Sequence, residues 1–178
     1  MLLVLCAACA SGAIATGEPG AVQNAVQEYR LGPGDQLRIS VFGEPTLTGA
    51  FLVSPSGSIS YPLVGEVPAA GKTVAEFAGA LADVLRNGYV RQPDITVEVA
   101  SYRPFFILGE VGAPGTYPYA AGLTVLNAVA TAGGFTYRAD TRRVFIKHPE
   151  EAGEREYRLT STTPIMPGDT VRIPERRF

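Results

Sequence analysis

A chain of 178 residues, 46% apolar and 18% charged, is long enough for one domain or two small ones. Its 20 glycines and 14 prolines point to many turns, and hence to strands, without the bias of a disordered or collagen-like chain. Fifteen basic against seventeen acidic side chains leave a net charge of -2, which lacks the basic surplus of a nucleic-acid binder.

Residues 1–15, MLLVLCAACASGAIA, form an uncharged apolar stretch. It is shorter than the roughly 20 apolar residues a bilayer span takes, and reads as the apolar and cleavage regions of a secretory signal. The positively charged start of such a signal is missing, as it would be if the chain began inside a longer one. Both cysteines, Cys6 and Cys9, lie in this stretch. A C-x-x-C pair can be a redox or half-zinc motif, but no strand-helix-strand context and no second ligand pair accompanies it. Cys6-Ala7-Ala8-Cys9 reads better as a lipobox, with two small residues before Cys9, although Cys6 stands where Leu is usual. Two acyl chains on Cys9 would give stable membrane anchoring. Ordinary cleavage at Ala8-Cys9-Ala10 or Ala13-Ile14-Ala15 is the alternative. Residues 16–28 are small and polar and read as a linker.

From Tyr29 the pattern sharpens. Pro33-Gly34 suits the centre of a type II turn, after which Leu37, Ile39 and Val41 alternate with polar residues as a half-buried strand. Phe51–Val53 and Ile59–Tyr61 flank Ser54–Ser58 as a hairpin with a Gly-bearing turn. Val74, Phe77, Leu81, Val84 and Leu85 make one apolar stripe, predicting a helix over 73–85. Thr73 and Glu76 fit its capping box, and Asn87-Gly88 its stop. Ile95, Val97 and Val99 alternate as the next strand, closing a first unit over about 29–101.

A second unit, 102–178, follows the same style. Phe105–Leu108 is a short buried strand, Gly112–Gly115 a turn and Thr116-Tyr117 the next strand. Thr124 caps a helix through Val125, Leu126, Val129 and Ala132, stopped by Gly133-Gly134. Val144–Ile146 is a strand, residues 148–156 are a charged loop, and Tyr157–Leu159 pairs back. Leu31–Ile39 and Ile165–Ile173 share Pro, Gly, Asp, Arg and Ile in register, so one turn-plus-strand piece opens the first unit and closes the second. Two independent tight turns feeding strands would give the same pattern.

Residues fit for catalysis are sparse. His148 is the only histidine, so any Ser-His-Asp or Cys-His arrangement depends on it; beside Pro149 in a charged segment, it reads as an exposed loop residue. A zinc site would need mainly carboxylates. Asp35 and Asp169 are conceivable as a paired-carboxylate glycosidase site, but Asp after Pro-Gly more commonly satisfies turn amides. The glycines at 32, 34, 133 and 134 form neither a P-loop nor a dinucleotide fingerprint. Tyr61, Tyr102, Tyr117 and Tyr119 lie on or beside strands and read as core or subunit interface before glycan platform. Arg138, Arg142 and Arg143 around Asp140 make a charged turn.

These residues carry a resemblance. Tyr29–Val41, Gly57–Val67 with Gly71-Lys72-Thr73, and Pro93–Val99 resemble the polysaccharide biosynthesis/export domain. Leu108–Tyr117, Leu123–Phe135 and Pro167-Gly168-Asp169 resemble a soluble-ligand-binding β-grasp domain. The resemblance implies an α+β chain, a small mixed sheet with one helix followed by a ubiquitin-like β-grasp unit. It assigns structural roles to Tyr29, Gly32, Pro33, Gly34, Asp35, Gly57 and Gly65 in the first unit. In the second it assigns them to Gly109, Val111, Pro114, Gly115, Gly133, Gly134, Pro167, Gly168 and Asp169. Ser56-Gly57 departs from the Asp-Gly common in relatives, and both suit a turn.

The function it implies is that of a non-enzymatic, ring-forming outer-membrane lipoprotein of the periplasm, through which capsular or exopolysaccharide passes. No metal, cofactor or nucleic acid is implied. The expected partners are further copies of the chain, the polymer and an inner-membrane copolymerase of the tyrosine-autokinase type. Longer relatives carry further β-grasp domains and a C-terminal helix. This chain, ending near its last strand, resembles the short members, for which a separate outer-membrane β-barrel is expected to complete the path. A monomeric periplasmic module binding a small soluble ligand is the alternative reading, and a carbohydrate-active enzyme using Asp35 and Asp169 a third.

Overall fold

The computed structural model describes residues 29–176, which pack around two hydrophobic cores, one for each unit. The signal, lipobox and linker expected over 1–28 lie outside the described residues.

In the first unit, strand β1 (Gln36–Val41) buries Leu37, Ile39 and Val41 and exposes Gln36, Arg38 and Ser40, as its alternation requires. A 3-10 turn at Pro45–Leu47 leads to β2 (Gly49–Leu52), which runs antiparallel to β1 with Leu37 opposite Phe51. Strands β3 (Ser58–Tyr61) and β4 (Gly65–Pro68) form a separate antiparallel hairpin. Helix α1 (Val74–Arg86) follows, then β5 (Ile95–Ser101), antiparallel to β1 on its other side.

Two expectations are corrected here. The first unit's sheet is not mixed, since every pairing in it is antiparallel, in the order β2-β1-β5 plus the β3-β4 hairpin. The hairpin expected between Phe51–Val53 and Ile59–Tyr61 does not form as a ladder. The chain does reverse at Ser54–Ser58, where the Ser54 amide donates to the Ser58 carbonyl at 2.8 Å. Its arms then part, and Phe51 meets Tyr61 through ring contact, centroids 4.8 Å apart. Turn chemistry dictates the reversal, whereas pairing follows whichever strand shares the apolar row.

Helix α1 is built as its sequence dictates. The Thr73 hydroxyl accepts from the Glu76 amide at 3.1 Å, and the Glu76 carboxylate accepts from the Thr73 amide at 2.8 Å. Its core face is narrower than the apolar stripe suggests: Phe77, Leu81 and Leu85 are fully buried, while Val84 is 38% exposed.

The second unit comprises β6 (Phe105–Gly109), β7 (Gly115–Tyr117), α2 (Val125–Thr131), β8 (Arg143–Lys147), β9 (Arg155–Arg158) and β10 (Thr170–Ile173). Its sheet runs β7-β6-β10-β8-β9, with the first and last strands paired parallel at the centre and all other pairs antiparallel. Thr124 caps α2, whose Val125, Ala128 and Val129 enter the core with Ile107, Val144, Ile146 and Val171. A helix between the second and third strands, with the outer members of the sequence adjacent at the centre, is the β-grasp arrangement, and the chain as a whole is α+β. No helix among the described residues is long and apolar enough to cross a membrane.

Truncating the fully buried Phe77 to Ala should cost roughly 3–5 kcal/mol, whereas Val84→Ala, two turns on and partly exposed, should stay within about 0.5–1 kcal/mol. Urea unfolding of both variants checks this, and equal losses would contradict the packing described for α1.

Candidate functional site

The Pro-Gly-Asp repeat is a repeat in geometry. Asp35 turns back so that its Oδ2 accepts from the Gly32 amide at 2.7 Å, and Asp169 does the same with the Met166 amide at 2.8 Å. In each turn the Asp amide also donates to the carbonyl three residues earlier, Gly32 and Met166. Both carboxylates are completely buried. Each takes one further partner from a ring: the Tyr29 hydroxyl donates to Asp35, and His148 Nδ1 lies 2.6 Å from Asp169 Oδ1.

The two turns meet at one residue. Arg103 sits on the short crossover between β5 and β6. Its amide donates to Asp35 Oδ1 at 2.9 Å, its guanidinium Nε donates to the Pro167 carbonyl at 2.9 Å, and its Nη1 stands 3.6 Å from Asp35 Oδ2. The guanidinium lies so close to both turns that a Cβ on Gly32 would overlap it, and one on Gly168 would come within 2.7 Å of Nε. Glycine at those two positions is what admits the arginine. Around this bridge, Tyr102 packs edge-on against Tyr29 at 5.0 Å and against Tyr119 at 5.4 Å, so an aromatic row runs from the first unit to the second.

Beside the bridge opens a cleft of about 370 Å³ built from both units, with Tyr29, Arg30, His148, Glu151, Met166 and Pro167 among its walls. Burial pushes the Asp169 carboxyl above its ordinary value, against the lowering pull of the Met166 amide and of His148. Burial, then the hydrogen bond to Asp35, pushes the Tyr29 phenol far up, so it stays a donor. The cleft's described walls carry no serine, threonine or cysteine to which His148 could pass a proton. Every oxygen of Asp35 and Asp169 already accepts a hydrogen bond or pairs with His148. The geometry holds two backbone segments in place.

The other residues singled out from the sequence fall into two further groups. Gly57 and Gly65 shape the turns around β3 and β4, with the Gly57 carbonyl accepting from the Ala69 and Ala70 amides. Gly109 ends β6 beside Ile173, Val111 is buried and bridges to Phe135, and Pro114-Gly115 leads into β7. Gly133-Gly134 closes α2. Cys9 lies outside the described residues.

His148 is corrected. Its side chain is only 28% exposed and faces the buried Asp169, 21 residues on, so the charged segment around it is folded onto the second turn. Tyr61 is core, its phenol pushed up to about 12 by burial and donating to the Leu47 carbonyl at 2.6 Å. Tyr117 stacks on Phe105 at 5.9 Å. The charged turn is already paired: Asp140 is buried and accepts from the Arg142 amide at 3.0 Å and Arg143 Nε at 3.0 Å, while Arg138 pairs with Glu175 near the end of the described chain. Arg103 escaped the sequence reading altogether.

Comparison with known proteins covers both units in part. Residues 23–100 match the polysaccharide biosynthesis/export protein family, and residues 104–159 match the SLBB domain. The chain is 42% identical over 140 residues to the exopolysaccharide production protein ExoF of Rhizobium meliloti, covering 72% of this chain and 33% of that protein. It is 27% identical over 121 residues to the polysialic acid transport protein KpsD of Escherichia coli, covering 67% of this chain and 22% of that one. To the EPS I polysaccharide export outer membrane protein EpsA of Ralstonia nicotianae it is 29% identical, covering 83% of this chain and 48% of that one. The chain thus spans less than half the length of each of these three relatives.

Removing the Asp35 carboxylate (Asp35→Ala) strands the Tyr29, Gly32 and Arg103 donors and should cost roughly 3–5 kcal/mol, read by urea unfolding. A loss below about 1 kcal/mol would mean that the bridge is not what holds the turns. Asp140 gives a pH signature. The Arg142 amide first, then the Arg142 and Arg143 side chains, hold its carboxyl below the ordinary value. A lowered folded-state value contributes stability that is present above the unfolded carboxyl's pKa of about 4 and is lost as pH falls through the folded one. Asp140→Asn should therefore flatten the acid limb of a thermal-melt series below about pH 4; an unchanged limb would show that Asp140 does not contribute.

Proposed function

The chain belongs to the polysaccharide biosynthesis/export family, and from that premise we infer that it serves as a non-enzymatic subunit of a polysaccharide export machinery, copies of it assembling as a ring around the path of the polymer. What supports the reading most is the junction. The two units share a buried, hydrogen-bonded contact through Arg103 in place of an open linker, so a neighbour that grips one unit also orients the other. A wall of a passage needs that property, since units that swivelled freely would leave gaps of changing size.

In this reading the protein works in the periplasm, held to the outer membrane by acyl chains on Cys9. The polymer is a capsular or exopolysaccharide. An inner-membrane copolymerase of the tyrosine-autokinase type stands on one side, and a separate outer-membrane β-barrel completes the path on the other. The two buried aspartates shape turns and take no part in bond cleavage, because their oxygens are committed to the fold.

The test is made in the organism that carries the gene. Deletion should abolish secreted polymer, and the intact gene should restore it. Detergent-extracted lipidated protein should appear as closed rings in electron micrographs. Unchanged secretion after deletion sinks the export reading. A clean monomer at every concentration sinks the ring and favours a small-ligand binding module.

A further inference from the structure

The two sheets treat their edges differently. In the second unit the edge strands are blunted: β7 is three residues long and follows Pro114, and β9 carries Arg155, Glu156 and Arg158 in four positions. In the first unit they are not. Strand β5 has seven residues, with Glu98 as its only charge, and that charge stands opposite Arg38 of β1. At the other edge, β2 is the uncharged run Gly49, Ala50, Phe51 and Leu52.

The pairing defines which backbone groups these edges leave open. The Phe42 amide donates to the Asp94 carbonyl, and in an antiparallel ladder bonded pairs alternate with non-bonded ones. Ser40 with Thr96 and Arg38 with Glu98 are therefore bonded pairs, and Ile95, Val97 and Val99 turn their amides and carbonyls away from β1. The bulge at Ala100 lies beyond them. On β1, Leu37 and Ile39 face β2 instead, so Ala50 and Leu52 of β2 point outward in turn. Among the described residues, none of these five outward-facing residues has a backbone partner on its outer side. The apolar row stops short at the same places. Leu37, Ile39 and Val41 on the central strand are at most 3% exposed, whereas Ile95, Val97 and Val99 on β5 and Phe51 on β2 are only partly buried against the same core.

The molecule itself supplies strands that fit these edges. Strands β2 and β5 each run antiparallel to β1, so they run parallel to each other. A second copy carried round an axis along the strands, without being turned over, brings its β2 beside β5 as a parallel ladder, and no charge on β2 opposes Glu98. Head-to-tail contacts of this kind repeat from copy to copy and close as a ring when the rotation permits. We propose that copies of this chain join edge to edge, the outer edge of β5 in one copy pairing with the outer edge of β2 in the next, so that their three-stranded sheets run on as one band. The inference rests on the ring reading and names the contact that holds the ring.

Ala50 and Glu98 both stand opposite Arg38, so the same rotation sets Ala50 of one copy level with Glu98 of the next. Full-length lipidated protein carrying Ala50→Cys and Glu98→Cys is treated in detergent with a short bis-maleimide and run on a denaturing gel. The double variant should give a ladder of linked copies, while each single variant and the unchanged chain give only background. Dimers from Glu98→Cys alone mean that β5 pairs with β5, and overturn the proposal. Rings in electron micrographs without a ladder on the gel overturn it too, and leave the ring reading standing. A monomer throughout removes both. Val97→Pro deletes an outward amide and spares the pairing with β1, so it should weaken assembly about tenfold. Circular dichroism checks that this variant is folded. A folded Val97→Pro that assembles as the wild type does overturns the contact, and if the variant does not fold the cross-linking decides.

Discussion

Burying the Asp35 carboxylate completely is the constraint on which the arrangement of the chain turns. A carboxylate taken out of water costs several kcal/mol unless donors replace the solvent. Here two of those donors are local, Tyr29 and the Gly32 amide, and the third is Arg103, 68 residues on. Meeting that demand fixes the path of the chain into β1 and its path out of β5 at the same time. Because Arg103 then reaches the Pro167 carbonyl, the same demand carries across to the strand that closes the second unit.

The second Pro-Gly-Asp turn explains why the two units join where they do. Each turn presents a carbonyl and a carboxylate at the start of a central strand, β1 in one sheet and β10 in the other. Placing one arginine between them satisfies backbone on one side and carboxylate on the other, and the glycines leave room for its side chain. The aromatic row of Tyr29, Tyr102 and Tyr119 closes the flank of this contact, adding apolar burial to a hydrogen-bonded core. An interface so made has polar groups that fit only one geometry, which is how a small contact area can still set an orientation.

Much of this was legible where the cause is local. The capping pair Thr73 and Glu76 lies three residues apart, and the alternation in β1 and β5 is read within one strand, so helix and strands stood out. The pairing of β2 was not, because a turn specifies a reversal and Phe51 instead found Leu37 opposite it. Strand β4 was missed because Gly65–Pro68 buries only Val67, too little to show a period. Of the site, the two aspartates were visible as turn residues, yet nothing near Arg103 marks it, since its partners stand 64 and 68 residues away. His148 misled for the same reason: its charged neighbours and Pro149 suggest solvent, and the carboxylate that claims it lies across the turn.

The two ends of the bridge, though alike in shape, differ in chemistry. At the first, the partner of the carboxylate is a phenol that burial holds well above its ordinary value, so it remains a donor throughout the physiological range. At the second, the partner is the His148 imidazole, beside a carboxyl that burial holds above its usual value. A raised folded-state carboxyl contributes stability that is complete below the unfolded value of about 4 and declines as pH climbs through the raised one. The Asp169 end is therefore the one whose contribution falls as pH rises, and its carboxyl lines the cleft together with Tyr29 and Arg103 from the other end. Any molecule lodged there meets groups from both halves of the bridge.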